Sequence, residues 1–229
     1  MTDLQHNLNL VKQRIANAEQ HYGRTPGSVK LLAVSKTKPI EAIQQLAALG
    51  QQAFGENYLQ EALEKIQHNP TLEWHFIGPI QSNKTKPIAE HFNWVHSVDR
   101  IKIARRLSEQ RPANLGDLNI LLQVNISKED SKSGFMPEDI IAAVAEIKTL
   151  PGLVIRGLMA IPKAQDDVAL QRQAFAQMFQ LYRALQHQLP QVDTLSMGMS
   201  GDLDAAIAEG STLVRIGTDL FGARDYNAN

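Results

Sequence analysis

The chain has 229 residues, 43% of them hydrophobic, and its 23 Lys and Arg nearly balance 24 Asp and Glu for a formal charge of -1. With no cysteine, disulfides, thiolate metal sites and a cysteine nucleophile are excluded. The interspersed charges leave no basic footprint for nucleic acid, and no apolar run approaches the ~20 residues that cross a bilayer. The opening residues 1–8 lack a basic stretch followed by an apolar run, so no signal peptide is visible. The expectation is a globular cytoplasmic protein, monomeric by default because no exposed apolar heptad is evident.

Leu4, Leu8, Val11, Ile15 and Ala18 recur at helical spacing and predict an amphipathic helix ahead of the main fold. Residues 29–35 form a short apolar, β-branched run typical of a strand buried on both faces. Pro39 opens a helix that Gly50 stops. The alternation then continues. Strands are predicted at 53–56, 74–78, 94–98, 118–125, 153–159, 194–197 and 213–216. Helices are predicted near 59–67, 84–92, 99–109, from Pro137, through Phe175, Met178, Phe179, Tyr182, Leu185 and Leu189, and at 203–209.

Eight strands separated by helices, with no consecutive hairpins, argue a parallel sheet. Eight units suggest closure into a (β/α)₈ TIM barrel with an extra N-terminal helix, an α/β fold; an open doubly wound sheet is the competing arrangement. No linker or composition shift divides the chain, so residues 1–229 are read as a single domain.

In such a barrel chemistry sits at the C-terminal ends of the strands. Lys36 closes the first strand, sharing a face with Leu32 and Val34. A strand-end lysine either points into water or is a desolvated amine suited to forming an imine. After strand seven, Gly198, Met199, Ser200, Gly201 and Asp202 form a small-residue turn ahead of a helix, which reads as an anion site, with Asp202 as an alternative N-cap. After strand eight, Gly217 permits close backbone approach and Thr218 offers a hydroxyl and an amide. Loops seven and eight are where barrels often bind phosphate. Arg215 ends an apolar strand and needs an acceptor: an acidic partner or a ligand ring nitrogen. Glu56, Asn57 and Tyr58 add polar groups at the same rim, and the loop 127–134 is either solvated or a lid. His75 and His96 lack metal-ligand spacing and read as core or rim histidines; no metal site is expected. There is no nucleophile elbow, GxGxxG or P-loop.

The segments 31–39, 54–58, 74–84, 131–134, 156–160, 195–200 and 214–218 together resemble the pyridoxal phosphate homeostasis proteins, in order and over nearly the whole chain. Gly201 stands where that family often has another residue, a change that only eases the turn. The resemblance implies a barrel like the N-terminal domain of alanine racemase, with pyridoxal 5′-phosphate (PLP) held covalently as a Schiff base on Lys36. It further implies that Ser200, Gly217 and Thr218 hold the phosphate, that Met199 and Asn57 line the ring, and that Arg215 faces the pyridine nitrogen. It implies an intracellular role in vitamin B6 homeostasis without established catalysis, with effects on amino-acid balance and delivery of PLP to apo-enzymes. An arginine cannot accept the pyridinium proton, so the ring would be a weak electron sink. The end of the sequence at Asn229 leaves little room for the second domain that racemases use. A small PLP enzyme such as an amino-acid racemase, and a cofactor-free Schiff-base aldolase, are the alternative functions.

Overall fold

The structure, a computed structural model, describes residues 3–222; residues 1–2 and 223–229, including the chain end at Asn229, lie outside the described residues. Helix α1 (Leu4–His21) comes first, with Asp3 accepting a 2.9 Å bond from the His6 amide at its N-terminus. Its stripe of Leu4, Leu8, Val11, Ile15 and Ala18 is buried as the spacing predicts.

Strand β1 (Lys30–Val34) is followed by α2 (Ile40–Ala48), β2 (Ala53–Glu56), α3 (Leu59–His68), β3 (Glu73–Phe76), α4 (Thr85–His91), β4 (Trp94–Val98) and α5 (Ile101–Gln110). The second half runs β5 (Leu118–Gln123), α6 (Ile140–Ile147), β6 (Leu153–Met159), α7 (Val168–Gln188), β7 (Thr194–Ser196), α8 (Leu203–Ala208), β8 (Leu213–Ile216) and α9 (Thr218–Phe221). The eight strands close in sequence order into a parallel barrel, β1 pairing β8 from Lys30–Leu213 to Ala33–Ile216. The open doubly wound alternative is thereby overturned. Strand alternation sorts the side chains. Outward residues such as Ala33, Phe54, Val95, Ile120 and Val214 join the helices in the main core, while Leu32, Ile77 and Leu213, and separately Trp94, Leu121 and Met159, pack as two smaller clusters.

Several boundaries differ from the sequence reading. β3 ends at Phe76 rather than residue 78, and β5 ends at Gln123, where Val124 makes only a bridge to Phe135. Phe179 is 37% exposed: it follows the buried Met178 by one residue, which rotates it off the stripe of α7. The α9 turn was not anticipated, being too short to show a period.

In β6 the register slips by one residue, Ile120 pairing Ile155 and Leu121 pairing Gly157. The extra residue, Arg156, lays its guanidinium 4.8 Å from the Trp94 ring centre and bonds Asn119 and Asp193. The bulge depends on Gly157, whose φ is +155° and whose missing Cβ would collide with the Thr194 carbonyl oxygen. Gly157→Ala is expected to lower stability by at least ~2 kcal/mol. Urea unfolding midpoints check this, with Gly201→Ala, where a Cβ meets nothing within 4 Å, as the near-neutral control.

Candidate functional site

Lys36 lies in a tight turn just past β1, closed by a 3.1 Å bond from the Lys38 amide to the Ser35 carbonyl. Thr37 takes φ +63°, a conformation costly for a β-branched residue, so the surroundings must enforce it. They do so from behind the barrel wall. The Ser35 hydroxyl donates to Glu56 (2.6 Å), the Thr37 amide donates to Glu61 (2.6 Å), and Lys65 donates to the Ser35 carbonyl (2.7 Å) and to Glu56 (2.7 Å). Lys65 and Glu56 are both buried, and burial pushes the Glu56 carboxyl up against the pull of Lys65. Both neighbours of Lys36 are thus pinned, while Lys36 itself is half-buried.

Because β7, β8 and β1 are consecutive around the barrel, their upper ends meet. Arg215 pairs with Leu32, and its amide bonds the Gly198 carbonyl at 2.9 Å. Gly217 lies against Val34, where a Cβ would come 3.3 Å from the Val34 carbonyl oxygen. Arg14 of α1 ties the turns on either side of β8. Its guanidinium donates to the Ser200 carbonyl (2.9 Å) and pairs with Asp219 (3.3 Å) and with Asp204. Lys38 reaches the carbonyls of Phe221 and Gly222, joining the first loop to the last.

Arg215 is buried, its pKa pushed down to about 10 by burial and partly held up by Asp202. Its guanidinium donates to the Ser196 hydroxyl (2.6 Å) and the Ala160 carbonyl (3.0 Å), and to no carboxylate among the described residues. The acidic partner weighed from sequence is therefore replaced by neutral acceptors. Asp202 stands at the N-cap position of α8 but gives the helix no side-chain bond; its carboxylate accepts from the Met199 amide at 2.7 Å and closes the turn backwards. Burial raises the Asp202 carboxyl against that bond and the pull of Arg215 and Arg14.

The sequence-predicted residues separate into two groups. Lys36, Arg215, Ser200, Gly217 and Thr218 stand on the ends of three adjoining strands. Asn57 follows β2, next to β1, and lines a cavity of about 290 Å³ with Ile77, Gln123, Ser131 and Lys132. Its buried Oδ1 has no hydrogen-bond partner among the described residues. Met199 is 41% exposed beside the same mouth. Glu56, read as a rim residue, is a correction: it is fully buried and faces the helices, because it alternates with Asn57. The loop 127–134 folds over Asn125, which donates to the carbonyls of Glu129 and Lys132. Arg14, Lys65, Glu61 and Ser196 escaped sequence reasoning. The partners of Arg14 lie up to 205 residues away, and the i,i+4 spacing of Glu61 and Lys65 is common to solvated helix faces and does not tell of burial.

Lys65→Met strands the buried Glu56 carboxylate and is expected to cost ~3–5 kcal/mol, with Glu56→Gln/Lys65→Met recovering much of it. Urea denaturation of the single and double variants is the check.

A family profile described as alanine racemase, N-terminal domain, matches residues 3–225. A pyridoxal phosphate homeostasis protein of Pseudomonas aeruginosa is 59% identical over 230 residues, covering 100% of this chain and 99% of its own. A crystal structure of an unknown protein from Bifidobacterium adolescentis superimposes with TM-score 0.89 at 33% identity, covering 96% of this chain and 97% of its own. PipY of Synechococcus elongatus, solved with PLP bound, gives TM-score 0.77 at 40% identity, covering 91% of this chain and 100% of its own. A closed parallel barrel, a family match along nearly its whole length and relatives of this similarity together place the chain in the alanine racemase N-terminal domain family, among the pyridoxal phosphate homeostasis proteins.

Proposed function

We propose that this chain binds PLP at the upper mouth of the barrel as a Schiff base on Lys36. In this reading it serves cytoplasmic vitamin B6 homeostasis as a monomeric, single-domain carrier without turnover, passing PLP to apo-enzymes. The observation that carries the reading is the adjacency of β7, β8 and β1, which brings an amine, a buried guanidinium and two small-residue turns to one rim. The PLP-bound relative and the name shared by close homologues support the cofactor.

The residues present fit the group. PLP supplies an aldehyde that condenses with a primary amine, an electron-poor ring and an anionic tail. Lys36 offers the amine on a turn fixed from both sides. Ser200 and Thr218 offer hydroxyls to the tail, and Gly217 keeps the wall thin where the tail must pass. Asn57 holds a buried polar atom in want of a partner, and Met199 supplies an apolar edge. Arg215 meets the ring nitrogen as a donor. It carries no proton-accepting group, so the nitrogen stays unprotonated and the ring withdraws electrons weakly. A weak sink suits holding the aldehyde over turning over amino acids. Among the described residues no helix is long and apolar enough to cross a membrane.

Titration with PLP should produce an imine absorbance band that Lys36→Ala abolishes, and borohydride reduction followed by peptide mass spectrometry should mark Lys36. A wild-type protein that stays colourless would overturn the reading. Ser200→Ala and Thr218→Ala should each weaken PLP retention by ~1–3 kcal/mol while leaving the imine able to form. Unchanged affinity in both would mean that the tail lies elsewhere.

A further inference from the structure

Inside the barrel a line of polar side chains runs from one mouth to the other. His75 Nε2 lies 2.8 Å from the Glu73 carboxylate, and His75 Nδ1 lies 2.8 Å from His96 Nε2. His96 Nδ1 is 3.0 Å from the Ser196 hydroxyl, which in turn is 2.6 Å from Arg215 Nη1. Glu73 begins β3 at the lower mouth and is half exposed; His75, His96, Ser196 and Arg215 are all buried. Trp94 stacks flat on His75, at 5.3 Å between ring centres.

The chemistry of the two ends sets the direction of every bond between them. Arg215 can only donate, so Ser196 accepts from it and keeps its own proton for His96 Nδ1. A neutral imidazole carries one N–H; with Nδ1 accepting, the proton of His96 sits on Nε2 and is donated to His75 Nδ1. The proton of His75 then also sits on Nε2 and is donated to Glu73, which accepts. The reverse arrangement fails at the lower end, because it turns a bare His75 Nε2 toward a carboxylate oxygen. A proton added to His75 fails in the middle, because its Nδ1–H would face the Nε2–H of His96 across 2.8 Å; one added to His96 puts an Nδ1–H against the Ser196 hydroxyl and displaces the proton that Ser196 donates.

We infer that Glu73, His75, His96 and Ser196 form one directed hydrogen-bond chain that orients the Arg215 guanidinium toward the upper mouth, which makes His96 a positioning residue for the PLP ring. The role toward PLP rests on the function proposed above; the direction of the chain does not. The charged groups that face the pair are Glu73 and Lys30 around His75, and Arg215 beside His96, which also faces His75. Burial holds both imidazoles below their ordinary pKa, His96 well below, and Glu73 partly opposes this at His75. Because the folded pKa values lie below the unfolded value of 6.5, the chain is intact above that pH. Its contribution to stability is lost as pH falls through the folded values.

The test begins on the full chain without PLP, using long-range 1H–15N correlation of the histidine rings at pH 7. Both rings should carry hydrogen on Nε2 and a bare Nδ1; an Nδ1–H tautomer or a doubly protonated ring at either residue would overturn the directed chain. Then His96→Phe and His96→Gln are titrated with PLP. His96→Phe should raise Kd about three- to tenfold and shift the pH profile of the imine band. His96→Gln, which can accept and donate, should restore much of both. Wild-type affinity and profile in His96→Phe would overturn the positioning role. If His96→Phe does not fold, Glu73→Gln at the half-exposed end serves instead. It should mix the tautomers of both rings, and unmixed tautomers would count against the direction. Rings as assigned in a protein whose spectrum ignores Lys36→Ala would remove the PLP reading and leave the chain standing.

Discussion

Pairing of β1 with β8 is the contact on which the upper mouth depends. It sets Lys30 through Ala33 beside Leu213 through Ile216 and so brings residues near the start of the chain against residues near its end. Without it Arg215 would lose Leu32 as a neighbour, Gly217 would lose Val34, and the turn carrying Lys36 would have nothing opposite. The register also fixes height. Arg215 pairs with Leu32, below Val34 and the turn that carries Lys36.

Two buried polar systems hold this geometry, one on each side of the same wall. Outside the barrel, Lys65 satisfies its three protons with Glu56, Glu61 and the Ser35 carbonyl and thereby fixes the turn of Lys36. Inside, Arg215 reaches neutral acceptors and, through them, a carboxylate on the opposite face of the molecule. Buried charges are tolerated only with full partnering, which makes both systems sensitive to single substitutions and gives the mouth one well-defined shape.

Much of this was legible in the sequence, for physical reasons. Parallel strands buried on both faces announce themselves as short apolar runs, and their number suggested a barrel. Small residues after strands seven and eight, and a lysine after strand one, pointed to the rim because the fold puts strand ends there. Glu56 was misjudged because strand alternation was not carried to the last residue of β2. His75 and His96 are buried, one of the two positions read for them, but their partners and those of Arg14 were beyond reach: one partner is about 190 residues off, and a histidine facing a barrel lumen has the same local spacing as one facing helices. Long-range polar pairing leaves no period to read.

The extra helix at the start of the chain has a consequence for synthesis. Asn7 bonds the Leu220 carbonyl, Arg14 bonds the Ser200 carbonyl, and Arg24 bonds the carbonyls of Ile207 and Ser211. Synthesis delivers α1 well before α8 and α9, against which it packs, so its polar groups wait through most of the barrel before they find their places. Non-local closure of this kind slows folding. Nascent chains stalled short of β8 would therefore carry an unsatisfied amphipathic helix, a natural handle for chaperones until the ring of strands can shut.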